Sequence, residues 1–487
     1  MAGSFPPSAS KGGALVVIGV LVLAASVGVA PRFRTQTLGV VGGPAGTTSQ
    51  SNVGPTTSDP NAPNAKSPTN RSGPANQINA NNPTNSASGH VCAAGKNGGS
   101  TDTGVTGDSI HLASTVAESG IGASFLGDAR FGLIAVVNQV NRQGGICGRQ
   151  LKLDLVDDGW NARTGEADLR NYIHAGVFAL AVVPSSEGLN LAAKANNGDI
   201  DAAGIPVVGT DGMLKSQYAD PWIWPVATST VSTAHIAAKE MYNAGIRTFG
   251  MVYDKDYHFG QEGAAAFRHA VSLLPGAKLK ADVGIVSGQQ DYGGNVSQFE
   301  DGCAPCDGTF MLLEPDTAIS WIQSDHSQQH YVFGKKQTDG PQPLFTSNFG
   351  QACGDLCNNM WVWTGYQPPY PPFTDDKADV TYVNAIRSVS SSADTANQFL
   401  EGAYIGMQLL VQALQKVGPD LTRARLKQVL DSMTFSSGLT KDEHWTPGDH
   451  YANTSMLGFT IQNSGGFNGF QYQNTGWFAD PWPTLDH

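Results

Sequence analysis

Residues 104–212 read GVTGDSIHLASTVAESGIGASFLGDARFGLIAVVNQVNRQGGICGRQLKLDLVDDGWNARTGEADLRNYIHAGVFALAVVPSSEGLNLAAKANNGDIDAAGIPVVGTDG. Short β-forming runs alternate here with longer amphipathic ones. The β runs are Ile110–Val116, Leu151–Asp157, Phe178–Val183 and Pro206–Gly209. Between the first two, Leu133, Val136, Val137 and Val140 recur at the spacing of one helical face. Strand, helix, strand, helix implies βαβ units and a parallel sheet. Each β run ends in small polar residues: Glu118-Ser119-Gly120, Asp157-Asp158-Gly159, Pro184-Ser185-Ser186 and Gly209-Thr210-Asp211. Open α/β sheets take ligands just beyond the carboxyl ends of their strands, so these ends describe half of a binding site.

Further along, the pattern repeats. Ala234, Ala237, Ala238 and Met241 mark a helical face, and Arg247–Tyr253 is a strand ending in the polar turn Asp254–Gly260. A helix carries Ala264 to Leu274. Lys280–Val286, Phe310–Leu313 and Leu344–Thr346 are further strands, the last two ending in Glu314-Pro315-Asp316 and Ser347-Asn348-Phe349. The fold class is therefore α/β, with two doubly wound parallel-sheet lobes. Trp361–Tyr366 is extended. Helices are expected at Asp379–Arg387, Thr395–Lys416 and Leu421–Met433, the last capped by Thr422. Gly458–Ile461 and Gly469–Trp477 read as a closing pair of strands.

A chain of 487 residues exceeds one core. Its formal charge of -12 and the lack of a basic stripe argue against a nucleic-acid partner. Ala14–Ala30 is continuously apolar and fits either a signal peptide or a short membrane anchor, with the anchor favoured. The stretch that follows, to residue 90, is rich in Gly, Pro, Asn, Ser and Thr, which cannot bury enough surface to order itself. The expected division is thus 1–35 signal or anchor, then 36–90 linker, then a folded body. Six cysteines in an exported chain favour disulfides: Cys92 with Cys147, Cys303 with Cys306, and Cys353 with Cys357. A redox role for Cys303-Ala-Pro-Cys306, and a zinc site from the last four cysteines, are the competing readings.

The order of pieces from Gly104 to Trp477 resembles the type I periplasmic-binding-protein fold, and specifically the leucine/isoleucine/valine substrate-binding proteins of ABC transporters. GVTGDS at 104–109 leads into the first strand. NQVNRQGGICGRQL at 138–151 matches the family's asparagine followed by GGI-x-GR-x-L. Asp157-Asp158, AGIPVV at 203–208, the turn Asp254–Gly260 and LTRARLKQVL at 421–430 continue the likeness. The resemblance implies three crossings between lobes, near Trp224, Tyr366 and Phe435. Lobe one would hold 91–224 and 366–435, and lobe two 225–365 and 436–487. It implies an extracytoplasmic protein that captures a small polar solute, an amino acid or a related compound, and delivers it to ABC transporter permease subunits. No cofactor and no metal are implied.

An amino acid presents a carboxylate and an ammonium. Hydroxyls at a strand end before a helix suit the carboxylate: Ser185 and Ser186, with Thr210 and the backbone of Gly209 beside them, while Ser119 is a further ligand-binding candidate. The resemblance places a carboxylate-binding serine at Ser186 or Ser185 and a threonine at Thr210. Ordinary helix capping competes for all three. Glu314 is a candidate for the ammonium, and Asn348 stands near where the family carries an acid. Glu118 and Asp211 could substitute for it, with a solvated loop charge the favoured reading of each, and Asp254 is a further acid at a strand end. Phe259, with Tyr257 and Trp160, suits an apolar wall. No GxSxG elbow, HExxH or Walker loop points to catalysis, so a secreted hydrolase ranks below both a solute binder and a tethered sensor of the same fold. His444 and His450 read as surface residues rather than metal ligands.

Overall fold

The computed structural model describes Cys92 and residues 96–303, 306–328, 336–473 and 476–487. Ala14–Ala30 and the linker lie outside the described residues. Among the described residues, fifteen strands order the body. The first five are β1 (Ser109–Val116), β2 (Gln150–Asp157), β3 (Ala179–Ala181), β4 (Val207–Thr210) and β5 (Ile223–Pro225). They pair in the order β2-β1-β3-β4-β5, and every pairing is parallel. The chain thus runs outward to β2 and returns past β1 to β3, which makes the gap between β1 and β3 the switch point where such sheets hold ligands.

The second sheet repeats this order. Its strands are β6 (Thr248–Asp254), β7 (Lys278–Ile285), β8 (Gly308–Leu312), β9 (Gln337–Gly340) and β10 (Trp361–Thr364). β11 (Thr434–Phe435) and β12 (Glu443–His444) form a separate small ribbon. β13 (Ser455–Asn463) and β14 (Phe467–Tyr472) then extend the second sheet to β14-β13-β10-β9-β8-β6-β7, with β15 (Phe478–Ala479) also on β13. The β13 pairings are antiparallel, so this sheet is mixed rather than wholly parallel. Its switch point falls between β6 and β8, at Asp254 and Glu314.

Helices cover both sheets because their apolar faces match them. The long helix Gln398–Val417 is buried along most of its length and packs on the helix Ala129–Arg142 and on β4. Asn397 starts it, accepting from Phe399 N and Leu400 N at 2.8 and 3.2 Å. Thr422 caps the helix Arg423–Leu430 as its sequence implies, accepting from Arg425 N.

Three readings need correction. Leu344–Thr346 is not a strand: Gln342–Leu344 is a short 3-10 turn between Pro341 and Phe345, where Pro343 has no N–H to offer a ladder. The strand is the polar segment β9. Residues after Phe435 do not pass at once to the second lobe. Leu439 and Trp445 pack in the first lobe's core, and Trp445 Nε1 donates to Pro225 O at 2.9 Å. His450, read as a surface residue, is buried, its Nδ1 at 2.5 Å from Ile223 O. Three chain passages then run side by side: Thr228 Oγ1 donates to Ser455 O at 2.8 Å, and Asn453 Nδ2 to Gly365 O at 3.2 Å.

The six cysteines form three disulfides, Cys92–Cys147, Cys303–Cys306 and Cys353–Cys357. No helix among the described residues is long and apolar enough to cross a membrane.

Candidate binding cleft

Where the carboxyl ends of both sheets meet, two small cavities share Asp211 and Phe399. One is lined by Val182, Pro184, Tyr366, Gln398 and Ala403, the other by Phe125, Trp160, Ser186, Met213, Phe259 and Pro343. Each has a volume of about 10 Å³, roughly the space of one water. The lobes are therefore closed on each other, and a solute needs them to part.

Groups from both lobes meet across the cleft. Trp160 stacks on Tyr257 with ring centroids 4.1 Å apart, and Phe259 reaches from the second lobe into the first lobe's core. Glu187 accepts from His258 N at 2.8 Å and meets its Nδ1 at 2.7 Å. That hydrogen bond raises the His258 imidazole above its ordinary value, against the lowering effect of burial. Glu262 accepts from Lys215 N at 2.9 Å.

The backbone under the cleft is strained. Val182 and Val183, at the end of β3, have φ of 65° and 51°, and Trp160 has 58°. β-branched residues rarely adopt this region, and it costs on the order of 1–3 kcal/mol where it occurs. Such outliers concentrate at ligand clamps.

Asp211 is the acid that both cavities share. Its Oδ1 accepts from Gln217 Nε2 at 3.0 Å, while its Oδ2 is buried and has no hydrogen-bond partner. Burial pushes its carboxyl up to about 7. Thr210 is buried behind it and donates to Gln217 Oε1 at 2.7 Å, so Thr210 orients the amide that holds Asp211. Two donors on the cavity walls are likewise buried without partners, Trp160 Nε1 and Tyr366 Oη. No Lys or Arg lines either cavity.

The residues expected from sequence are placed as follows. Ser186 and Phe259 line the cleft. Ser185 is fully buried beside Asp158, whose carboxyl burial raises to about 6 while the serine hydroxyl holds it lower than burial alone would. Gly209, at φ 84°, packs against Gly406 of the long helix. Glu314 caps the helix Pro315–Ser327, accepting from Asp316 N and Thr317 N at 2.8 and 2.7 Å, and burial raises it to about 7. Its own N–H donates to Asp254 Oδ2 at 3.0 Å. Ser119 and Asn348 are exposed and line neither cavity.

With this geometry in view, the comparisons are direct. A family model described as Periplasmic binding protein matches residues 109–466. The chain belongs to the periplasmic-binding-protein family, whose members bind solutes and are not enzymes. Among solved structures it is similar to the fatty acid ABC transporter substrate-binding protein from Thermomonospora curvata, with TM-score 0.69 and 16% identity, covering 81% of this chain and 98% of that one. It is also similar to a possible leucine/isoleucine/valine-binding protein from Rhodopirellula baltica SH 1, with TM-score 0.65, 16% identity and coverage of 75% and 96%. A solute binding protein from R. palustris in complex with 4-hydroxybenzoate gives TM-score 0.64 and 14% identity, covering 78% of this chain and 100% of that one. At such identities the likeness is one of fold. No curated protein matches.

Proposed function

We propose that this protein works outside the cytoplasm, encloses an amino acid with an apolar side chain, or a solute of the same chemistry, and delivers it to an ABC permease. The observation that carries the reading is Asp211, whose buried Oδ2 has no partner within a wall of Phe, Met, Val and Trp side chains. A buried carboxylate oxygen without a partner is costly, and a solute ammonium would satisfy it. The unpartnered Trp160 N–H and Tyr366 O–H supply donors for the solute's carboxylate, with Ser186 beside them. Aromatic and aliphatic walls suit a side chain such as that of leucine or phenylalanine.

The lobes divide, in this reading, at 226–229, 365–366 and 451–455, and these passages are the hinge. Opening parts the Trp160–Tyr257 stack and the Glu187–His258 pair. Ala14–Ala30 directs export and holds the protein at the membrane, a role that its apolar run supports.

Thermal-shift screening of the exported protein tests the ligand class. The panel holds apolar amino acids, polar amino acids, 4-hydroxybenzoate and fatty acids. Stabilisation by apolar amino acids above the other groups is the expected result. Stabilisation by fatty acids or 4-hydroxybenzoate alone would remove the amino-acid reading.

A further inference from the structure

Away from the cleft, the C-terminal segment folds back on the helix Thr230–Asn243 and builds a cluster that the solute-binding reading does not use. His235, Asp480 and His487 each offer a ligand atom, and these atoms lie within 4.8 Å of one another. We propose that His235, Asp480 and His487 form a zinc site that fastens this segment to the second lobe.

The distances fit the ion. His235 Nδ1 is 3.2 Å from Asp480 Oδ2, and His487 Nε2 is 3.8 Å from the same oxygen. Tetrahedral zinc with bonds of ~2.1 Å to nitrogen and oxygen separates its ligand atoms by ~3.4 Å, between these two values. The site is buried: the His235 and Asp480 side chains are fully enclosed, and that of His487 is 7% exposed.

The surroundings are those a bound metal needs. A histidine ligand usually presents its other ring nitrogen to a carboxylate, which fixes its tautomer and aim. His235 Nε2 lies 3.4 Å from Asp486 Oδ2, and Asp486 is held in turn by His269 Nδ1 at 3.0 Å. The His487 ring is fixed by stacking on Tyr451, 4.0 Å away at 4°. Ser232 Oγ lies 3.3 Å from His487 Nε2. A zinc ion here would take the place of the hydrogen bond between His235 Nδ1 and Asp480.

Isothermal titration of the chelator-treated, full-length protein with zinc chloride tests this. One zinc per chain is expected, with Co2+ giving the intense visible bands of a tetrahedral site. His487→Ala and Asp480→Asn should each weaken zinc binding at least tenfold, and Asp486→Asn about 10–100-fold. Absence of saturable uptake overturns the site. So does uptake that neither His487→Ala nor Asp480→Asn changes. If Asp480→Asn fails to fold, His487→Ala decides alone, because it removes a ligand at the end of the segment and leaves both sheets intact.

Discussion

Asp211 combines a buried carboxylate with a hydrogen-bond frame that positions it, Thr210 holding Gln217 and Gln217 holding one oxygen. The other oxygen faces the cleft. Asp211→Asn keeps the shape and the Gln217 contact but removes the charge that an ammonium needs. It should weaken an apolar amino acid by 10–100-fold, equivalent to ~1.4–2.7 kcal/mol, with little change in melting temperature, as read by titration calorimetry. The pH dependence has a defined sign. The carboxyl lies at about 7, so binding of an ammonium solute should strengthen as pH rises through that value in the wild type. Asp211→Asn should flatten this profile. A solute recognised only through its own carboxylate would bind more weakly as pH rises.

At the level of single elements, the long helix Gln398–Val417 lies so close to β4 that two glycines meet. A Cβ on Gly406 would stand 2.1 Å from Gly209 O, and one on Gly209 2.3 Å from Gly406 Cα. Backbone has no room to yield on either side. Gly406→Ala should therefore cost about 3 kcal/mol or more, measured by urea unfolding. Because Asp211 lies two residues beyond Gly209, solute affinity should fall with it. Much of this arrangement was legible in the sequence. The βαβ alternation, the polar strand ends and the cysteine pairs follow from local composition and spacing. β9, Gln337-Thr338-Asp339-Gly340, was not, because a buried strand built of polar residues carries no apolar signal. Of the cleft, Ser186 and Phe259 were visible as strand-end residues. Phe125, Tyr366 and Phe399 were not, because only the tertiary fold brings their segments together. Glu314 looked like a ligand acid, but two helix N–H groups already occupy its oxygens.

Across the whole molecule, buried acids set the response to pH. Burial raises Asp158 to about 6, and Asp211, Glu314, Asp339 and Asp379 to about 7. These groups hold protons in the folded state at pH values where the unfolded chain has released them. Between about pH 4 and pH 7 the folded state binds more protons, so stability falls as pH rises. The urea midpoint of the solute-free protein should be higher at pH 5 than at pH 8. A midpoint that climbs over this range would show that these carboxyls are charged and paired.

The claim on which the rest stands is that a solute is held by closure of the two lobes around the Asp211 cleft. Small-angle scattering with and without the best-stabilising amino acid tests it most directly. The account predicts a radius of gyration well above that of the closed structure when no solute is present, falling at saturation as the lobes close on the solute. A radius that matches the closed structure in both samples, with binding confirmed by calorimetry, would contradict it.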